Sequence, residues 1–534
     1  MTIPSHTIRL LPHGRQITAP AGHSLMDTLT AENLVLRSDC GGKGKCGKCR
    51  VEQIMEGGQR KSILACEARV TEDMDIEIPE STLFSTHTIG KASVNFPKVF
   101  SDKFAQVSGP DQYGIAVDLG TTTVAVYLCN TARGKVVTSV SVKNPQALYG
   151  DDVMSRIGAI GQSKENLPRL QGLVVNAMEQ GIKEVLKSAS LEGNAIDNMV
   201  VVGNPTMIHI LLGVDPAPIG CSPYQPAFHS PRRTPARRLG FTIGEFDIHT
   251  LPQISGFIGG DILAAALASD FENQAPGTLL IDLGTNGELM LRSEDGYFAT
   301  SCATGPAFEG ASLSCGMQAV PGAINRVTLA GRDALPEYEC IQKNNKTPRP
   351  ATGLCGSGVV SAVAQFCRHQ VILPSGGFNI DSASPALTKN ENGQYRYDIV
   401  PETPEGTQMP VYISQKDIRS VQLGKGALIT GIDFLLKKAG FQRPEKIIVA
   451  GAFGTFLDKS DMKTLGMIPT DSVNGIEMAG NAAGAGAVMA LCDASFRKKA
   501  EQMVSQITIV DLASDPEFHA SFVHRLSFPE IKIP

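Results

Sequence analysis

Ile115–Val126 reads IAVDLGTTTVAV. An apolar run rich in β-branched residues breaks at Asp118-Leu119-Gly120-Thr121-Thr122-Thr123 and resumes at Val124, the pattern of strand, tight turn and strand. The first strand ends in a carboxylate, and the turn carries hydroxyls and a glycine. Glycine lets the backbone approach an anion closely and threonine adds donors, so such a turn can aim N–H and O–H groups at a phosphate. An ordinary hairpin fits a single copy equally well. A second copy, LLIDLGTNGELML at Leu279–Leu291, changes the balance, with Asp282, Gly284, Thr285 and Asn286 in the corresponding places. A third glycine turn, carrying Gly451 and Gly454 in IIVAGAFGTFL, follows an apolar strand at Ile447–Ala450. Two Asp-turn hairpins and a closing glycine turn imply duplicated halves facing one cleft.

This set resembles the actin-like ATPase superfamily, which also holds sugar kinases and heat-shock chaperone ATPases. The resemblance implies an α/β fold with two related halves. In it Asp118 and Asp282 orient Mg²⁺ and water. Gly120, Thr121 and Thr122, with Gly284, Thr285 and Asn286, cradle the phosphates of ATP, and Gly451 and Gly454 admit the adenosine. Gly353–Val363 and Gly480–Ala490 look like the two connecting helices, whose small residues permit close crossing. Two further points have open readings. Gly203-Asn204, at the end of an apolar strand, offers an amide to the nucleotide or caps the helix that follows. Asp261, after Gly256, Gly259 and Gly260, is an N-cap or a cleft residue. His209, in an apolar helical stretch, is expected to be packed rather than catalytic.

Composition bounds the rest. A chain of 534 residues suggests three or four domains. Apolar content of 42% with 19% charged residues fits a globular protein. A net charge of −5 argues against a large basic nucleic-acid surface. No signal-peptide pattern opens the chain and no apolar run is long enough for a bilayer, so a cytoplasmic protein without a membrane contact is expected. Twelve cysteines in such a chain read as metal ligands or buried thiols rather than disulfides.

Four of those cysteines have ligand spacing. SDCGGKGKCGKC carries Cys40, Cys46 and Cys49, and Cys66 follows in LACEARV, giving C-x5-C-x2-C-x16-C. Glycines between them let a loop fold round a small object while donating N–H groups to sulfur. Zinc sites also use four thiolates, but usually as two C-x2-C pairs, and only one pair is present. The arrangement, with Cys66 on an expected strand, resembles the plant-type and adrenodoxin-type 2Fe–2S ferredoxins. Residues 1–80 would then be a small β-grasp (α+β) ferredoxin domain. Lys43, Lys45, Lys48 and Arg50 around the cysteines are either a solvated basic loop or a means of tuning the potential and orienting a partner. Residues 81–112 read as a linker, and 113–534 as the ATPase, with halves at about 113–250 and 251–492 and a C-terminal strand and helix over 493–534. The other cysteines, including Cys302, Cys315 and Cys340, lack ligand spacing.

An electron-transfer cluster joined to an actin-like ATPase resembles the reductive activators of corrinoid proteins. The motifs VDLGTTT, IDLGTNGE and ATGPAFEGA (Ala303–Ala311) carry that match with the cysteines. The resemblance implies ATP-dependent, one-electron reduction of an inactive Co(II) corrinoid to Co(I) in a methyltransferase system. The implied partners are a corrinoid protein, faced by Ser301 and its neighbours, and an external low-potential electron donor, with a homodimer among the assemblies allowed. Two other classes stay open: an activator of a radical dehydratase or reductase, and a nucleotide-controlled redox-sensing scaffold without turnover.

Overall fold

The computed structural model describes residues 4–531 apart from 13, 33, 35, 37–43, 45–46, 48, 80–81, 83–93, 106–108, 311–312, 343–349, 383, 404–409, 452–456, 470–474 and 513–514. The chain begins with a five-stranded sheet of order β2-β1-β5-β3-β4. Its elements are β1 (Ser5–Leu11), β2 (Arg15–Pro20), α1 (Leu25–Ala31), β3 (Arg50–Ile54), β4 (Arg60–Leu64) and β5 (Met74–Glu77). Alternation along β1 and β2 sends Ile8, Leu10, Ile17 and Ala19 to one face, where Leu25, Met26 and Leu29 of α1 cover them. Ser24 caps α1 through the Asp27 amide. Leu148 and Leu173, from the larger body of the chain, complete this core. Cys66 is not on a strand as expected. The β3–β4 ladder ends at Arg50 and Leu64, and the chain turns at Ala65, whose amide donates to the Cys49 carbonyl at 2.9 Å.

Inside the expected linker stands a helix, α2 (Lys98–Lys103). Phe96, Phe100 and Phe104 recur every fourth residue, and their rings meet at a tilt with centroids 4.8 Å and 5.0 Å apart. Phe100 is buried against Phe496, ring centroids 5.8 Å apart. Lys103 pairs with Asp493. This segment is fastened to the ATPase body.

The first half contains β6 (Tyr113–Leu119), β7 (Thr123–Asn130), β8 (Lys135–Lys143), α3 (Val153–Gln162), α4 (Asn166–Ala189), β9 (Ile196–Gly203), α5 (Pro205–Leu211), β10 (Arg233–Pro235), β11 (Asp247–Thr250) and α6 (Gly260–Ala268). In the second half β12 (Thr278–Leu283), β13 (Gly287–Arg292) and β14 (Tyr297–Cys302) come first. Two small three-stranded sheets follow, one of β15 (Ala323–Thr328), β16 (Glu337–Cys340) and β17 (Gly353–Leu354), the other, after α7 (Gly356–Arg368), of β18 (Leu387–Lys389), β19 (Tyr395–Val400) and β20 (Val411–Ser414). Then come α8 (Gln415–Ala439), β21 (Lys446–Ala450), α9 (Lys459–Leu465), β22 (Ile476–Gly480), α10 (Ala482–Cys492), α11 (Ala494–Val504), β23 (Ile507–Ile509) and α12 (Phe518–His524).

The sheet orders β10-β11-β9-β6-β7-β8 and β22-β21-β12-β13-β14-β23 reveal the duplication. Each half has an Asp-turn hairpin, β6–β7 or β12–β13, with a parallel strand, β9 or β21, beside its first member. Strands buried on both faces read as continuous apolar runs, as those hairpins do. The long amphipathic helices α4 and α8 cover the outer faces. Between the sheets lies a core built on α6 and α10. These two helices cross closely: a Cβ on Gly486 would stand 1.9 Å from the Ala264 carbonyl oxygen. Gly353–Val363, expected as one of the crossing helices, instead forms β17 and part of α7, which packs on β15 and α9. Its glycines serve that packing, since a Cβ on Gly358 would meet the Ile324 carbonyl at 2.1 Å.

Candidate nucleotide cleft and iron–sulfur site

Asp118 and Asp282 occupy matching places, each next to last in its strand. Beside them, one parallel strand ends in Gly203 and the other is followed at once by Gly451. A Cβ on Gly203 would lie 2.6 Å from the Leu119 carbonyl oxygen, and one on Gly451 2.5 Å from that of Leu283. Gly451, with φ of 102°, also needs the left-handed backbone that glycine allows. At these two points the chain comes so close to the hairpin that no side chain fits.

The first turn is held from beneath. Asn144 donates to the Gly120 carbonyl at 2.9 Å, and the wholly buried Arg156 donates to the carbonyls of Thr121 at 2.6 Å and Gly150 at 3.0 Å. Asn204 is the helix cap, and its side-chain amide also reaches the first turn. It caps α5 through the Met207 amide at 3.0 Å and donates to Thr121 Oγ1 at 3.1 Å. Asn481 caps α10 and donates to Asp118 Oδ2 at 2.9 Å. The two turns meet at Glu309, whose Oε2 accepts from Thr122 Oγ1 at 2.6 Å and Thr285 Oγ1 at 2.5 Å.

Asp261 is not the helix cap: Gly259 holds that place, and Asp261 Oδ1 accepts the Ile262 amide at 3.0 Å. Its charge is felt by Asp282 and Glu288. Burial pushes Asp118 up to about 6, with the Asn481 bond opposing it, and Asp261 up to about 7. Burial, reinforced by neighbouring carboxylates, holds Asp282 and Glu288 well above the ordinary carboxylate range. Burial also draws Arg156 down to about 10. Asp118, Asp261, Asp282, Glu288 and Glu309 are thus buried near one another, and of these only Glu309 interacts with the Arg156 guanidinium. Among the described residues, no group of three His, Cys, Asp or Glu could enclose a metal ion.

Gly120, Thr121, Thr122, Gly203, Asn204, Asp261, Gly284, Thr285 and Gly451 thus belong to one locality with Asp118 and Asp282, while Gly454 lies outside the described residues. Ser301 stands apart from the carboxylates' hydrogen bonds, on β14. With Asn286, Tyr224, Phe257 and Phe522 it lines a largely apolar cavity of about 820 Å³ beside the second turn. Asn286 links turn and cavity. Sequence reasoning missed Arg156, Asn144, Asn481 and the roles of Glu288 and Glu309. Glu288 was within reach, as it closes the IDLGTNGE motif. His209 is packed as expected: buried, Nδ1 2.7 Å from the Pro205 carbonyl oxygen, and stacked on Phe228.

In the N-terminal domain the sulfur atoms of Cys49 and Cys66 are 3.3 Å apart. That is too far for a disulfide, about 2.05 Å. It approaches the ~3.7 Å edge of a tetrahedral site with metal–sulfur bonds of about 2.3 Å. Gly44 and Gly47 have φ of 70° and 67°, left-handed values that glycine allows. These features fit a thiolate-held cluster. Cys40 and Cys46 lie outside the described residues.

Fold and site define a class of protein: a ferredoxin-type iron–sulfur domain joined to a duplicated actin-like ATPase. Family models agree along the chain. Residues 8–71 match the 2Fe-2S iron-sulfur cluster binding domain, 113–274 the RACo middle region and 277–534 the C-terminal, ASKHA domain of RACo. The corrinoid activation enzyme RamQ of Eubacterium limosum is 30% identical, over 94% of this chain and 95% of that protein. The [Co(II) methylated amine-specific corrinoid protein] reductase of Methanosarcina barkeri is 24% identical over 67% of this chain and 66% of its own. A solved reductive activator for corrinoid,iron-sulfur protein superposes with a TM-score of 0.72, at 25% identity and 98% coverage of both chains. The chain belongs to the RACo-type family of corrinoid activation enzymes. Among the described residues, no helix is long and apolar enough to cross a membrane.

Proposed function

We propose that this chain uses ATP to drive one-electron reduction of Co(II) to Co(I) in a partner corrinoid protein of a methyltransferase system. The observation that carries the reading is the union, in one chain, of two cysteine sulfurs 3.3 Å apart in a ferredoxin-type domain with a cleft of paired Asp turns. A bound 2Fe–2S cluster supplies a one-electron donor of about −400 mV in plant-type proteins. Cys40, Cys46, Cys49 and Cys66 hold it. In the cleft, Asp118 and Asp282 orient Mg²⁺ and water. The Gly120–Thr122 and Gly284–Asn286 turns bind phosphates, with Gly203, Asn204, Asp261, Gly451 and Gly454 completing the nucleotide site. Ser301 and the cavity it lines face the corrinoid. Asn286, shared by the turn and the cavity, gives phosphate binding a direct route to the surface the partner meets.

Co(I) binds axial ligands poorly, so a ligated Co(II) is hard to reduce. If nucleotide binding and hydrolysis drove about 5 kcal/mol of ligand loss or conformational change, the effective potential would move by roughly 200 mV. ATP acts by shifting a population and need not touch the electron. The test is a reaction of the reduced, cluster-loaded protein with a corrinoid protein in the Co(II) state, followed by the Co(I) spectrum. Co(I) should form only with ATP, be lost in Cys66→Ala and persist in Cys340→Ala. Equal formation without ATP would refute the reading.

A further inference from the structure

Glu309 ends the short turn Pro306–Glu309 that follows β14 and places one carboxylate oxygen between the two hairpins. Both turn hydroxyls point at that oxygen, and they are 3.3 Å from each other. The other oxygen faces the second turn, 3.9 Å from where a Cβ on Gly284 would be. An anionic oxygen therefore stands where the donors of both phosphate turns converge, with the Arg156 charge behind it. A terminal phosphate bound by these turns must take over the hydroxyls of Thr122 and Thr285. The displaced carboxylate is then left beside it as a free acceptor.

We propose that Glu309 is the catalytic base of ATP hydrolysis, accepting the proton of the water that attacks the terminal phosphorus. The inference rests on the nucleotide-site reading above and assigns it a residue. In the step, the water oxygen forms a bond to the terminal phosphorus as the bond from phosphorus to the bridging oxygen of ADP breaks. One water proton passes to the Glu309 carboxylate, the other stays on phosphate, and no oxidant or reductant is needed. Burial holds Glu309 above the ordinary carboxylate range, while the two threonine hydroxyls and Arg156 oppose this. Asp282 and Glu288 also feel its charge. A base raised toward neutrality is better matched to proton transfer at working pH.

The experiment compares wild-type protein, Glu309→Gln and Glu309→Asp, each loaded with cluster, by calorimetric ATP binding and by phosphate release across pH. Glu309→Gln should lower kcat at least 100-fold, bind ATP as tightly or more tightly because a repelling charge is gone, and lose the acid limb of the kcat profile. Glu309→Asp, which keeps the charge one methylene further back, should retain that limb and part of the rate, and it serves should the amide variant fold poorly. A Glu309→Gln kcat within threefold of wild type, or a rate loss matched by an equal loss of ATP affinity, would overturn the assignment. Absence of ATP binding in the wild type would instead refute the nucleotide site itself.

Discussion

A carboxylate is expensive to bury, and this cleft buries several with few partners. Asp118 accepts one side-chain bond, from Asn481, and the strain of its charge shows in its rise to about 6. Such groups persist when a ligand repays the burial, in the proposed function Mg²⁺ and nucleotide phosphates. Asp118→Asn and Asp282→Asn should therefore each reduce phosphate release by a hundredfold or more while leaving the cluster spectrum intact. Wild-type hydrolysis in both variants would show that the nucleotide site lies elsewhere. The two aspartates were legible in sequence because each stands in a local signature, a strand end followed by Gly-Thr. Arg156 was not legible. It lies on α3 and reaches the Thr121 carbonyl only through the tertiary fold, so no spacing announces it. Glu309 is similar: its meaning arises from touching two turns that the chain encodes far apart.

Small residues in helices announce close contact without saying with what. Gly480–Ala490 and Gly353–Val363 look alike in composition, yet α10 crosses α6 whereas α7 packs within the second half. The partner is set by sheet topology, which puts α6 after β11 and α10 after β22, strands at matching places in the two sheets, each beside the strand parallel to the hairpin. The aromatic repeat Phe96-Phe100-Phe104 did carry a helical period, but Pro, Ser and Lys around it masked a helix of only six residues. The crossing offers a test with an internal control. A Cβ on Gly486 would meet the Ala264 backbone at 1.9 Å, whereas one on the exposed Gly172 of α4 would meet nothing within 4 Å. Gly486→Ala must push two helices apart and should cost at least about 1–3 kcal/mol. Gly172→Ala should instead stabilise by about 0.5–1 kcal/mol through helix propensity. Denaturant unfolding of the two variants should shift in opposite directions, and a neutral Gly486→Ala would mean that the crossing is looser than described.

At the scale of the whole molecule, the proposed function requires one cluster to serve both an external donor and a corrinoid. The ferredoxin-type domain is not simply hung on a long coil. Its core takes in Leu148 and Leu173 of the ATPase, Thr82 is buried and donates to the Arg50 carbonyl at 2.7 Å, and α2 is fixed through Phe100. Between the anchored Thr82 and Val94 lie only residues 83–93. As a free coil those residues would span ~18 Å root-mean-square, and at full extension they would reach no more than ~40 Å. A sequence reading of thirty linker residues would give ~30 Å as a coil, so the packing of α2 sharply narrows the volume the domain can explore. Were the domain to undock, a tether of that length would keep its effective concentration near millimolar. If the domain must leave Leu148 and Leu173 to collect an electron and then meet the corrinoid, shortening the tether should stop the cycle without harming its parts. Deleting residues 85–90 would cut the extended reach to ~18 Å. The variant should keep its iron and sulfide content and its ATP hydrolysis, and lose cobalt reduction at least tenfold under multiple turnover. Full cobalt reduction by the shortened protein would mean that the docked position is itself the working one, with both partners coming to it.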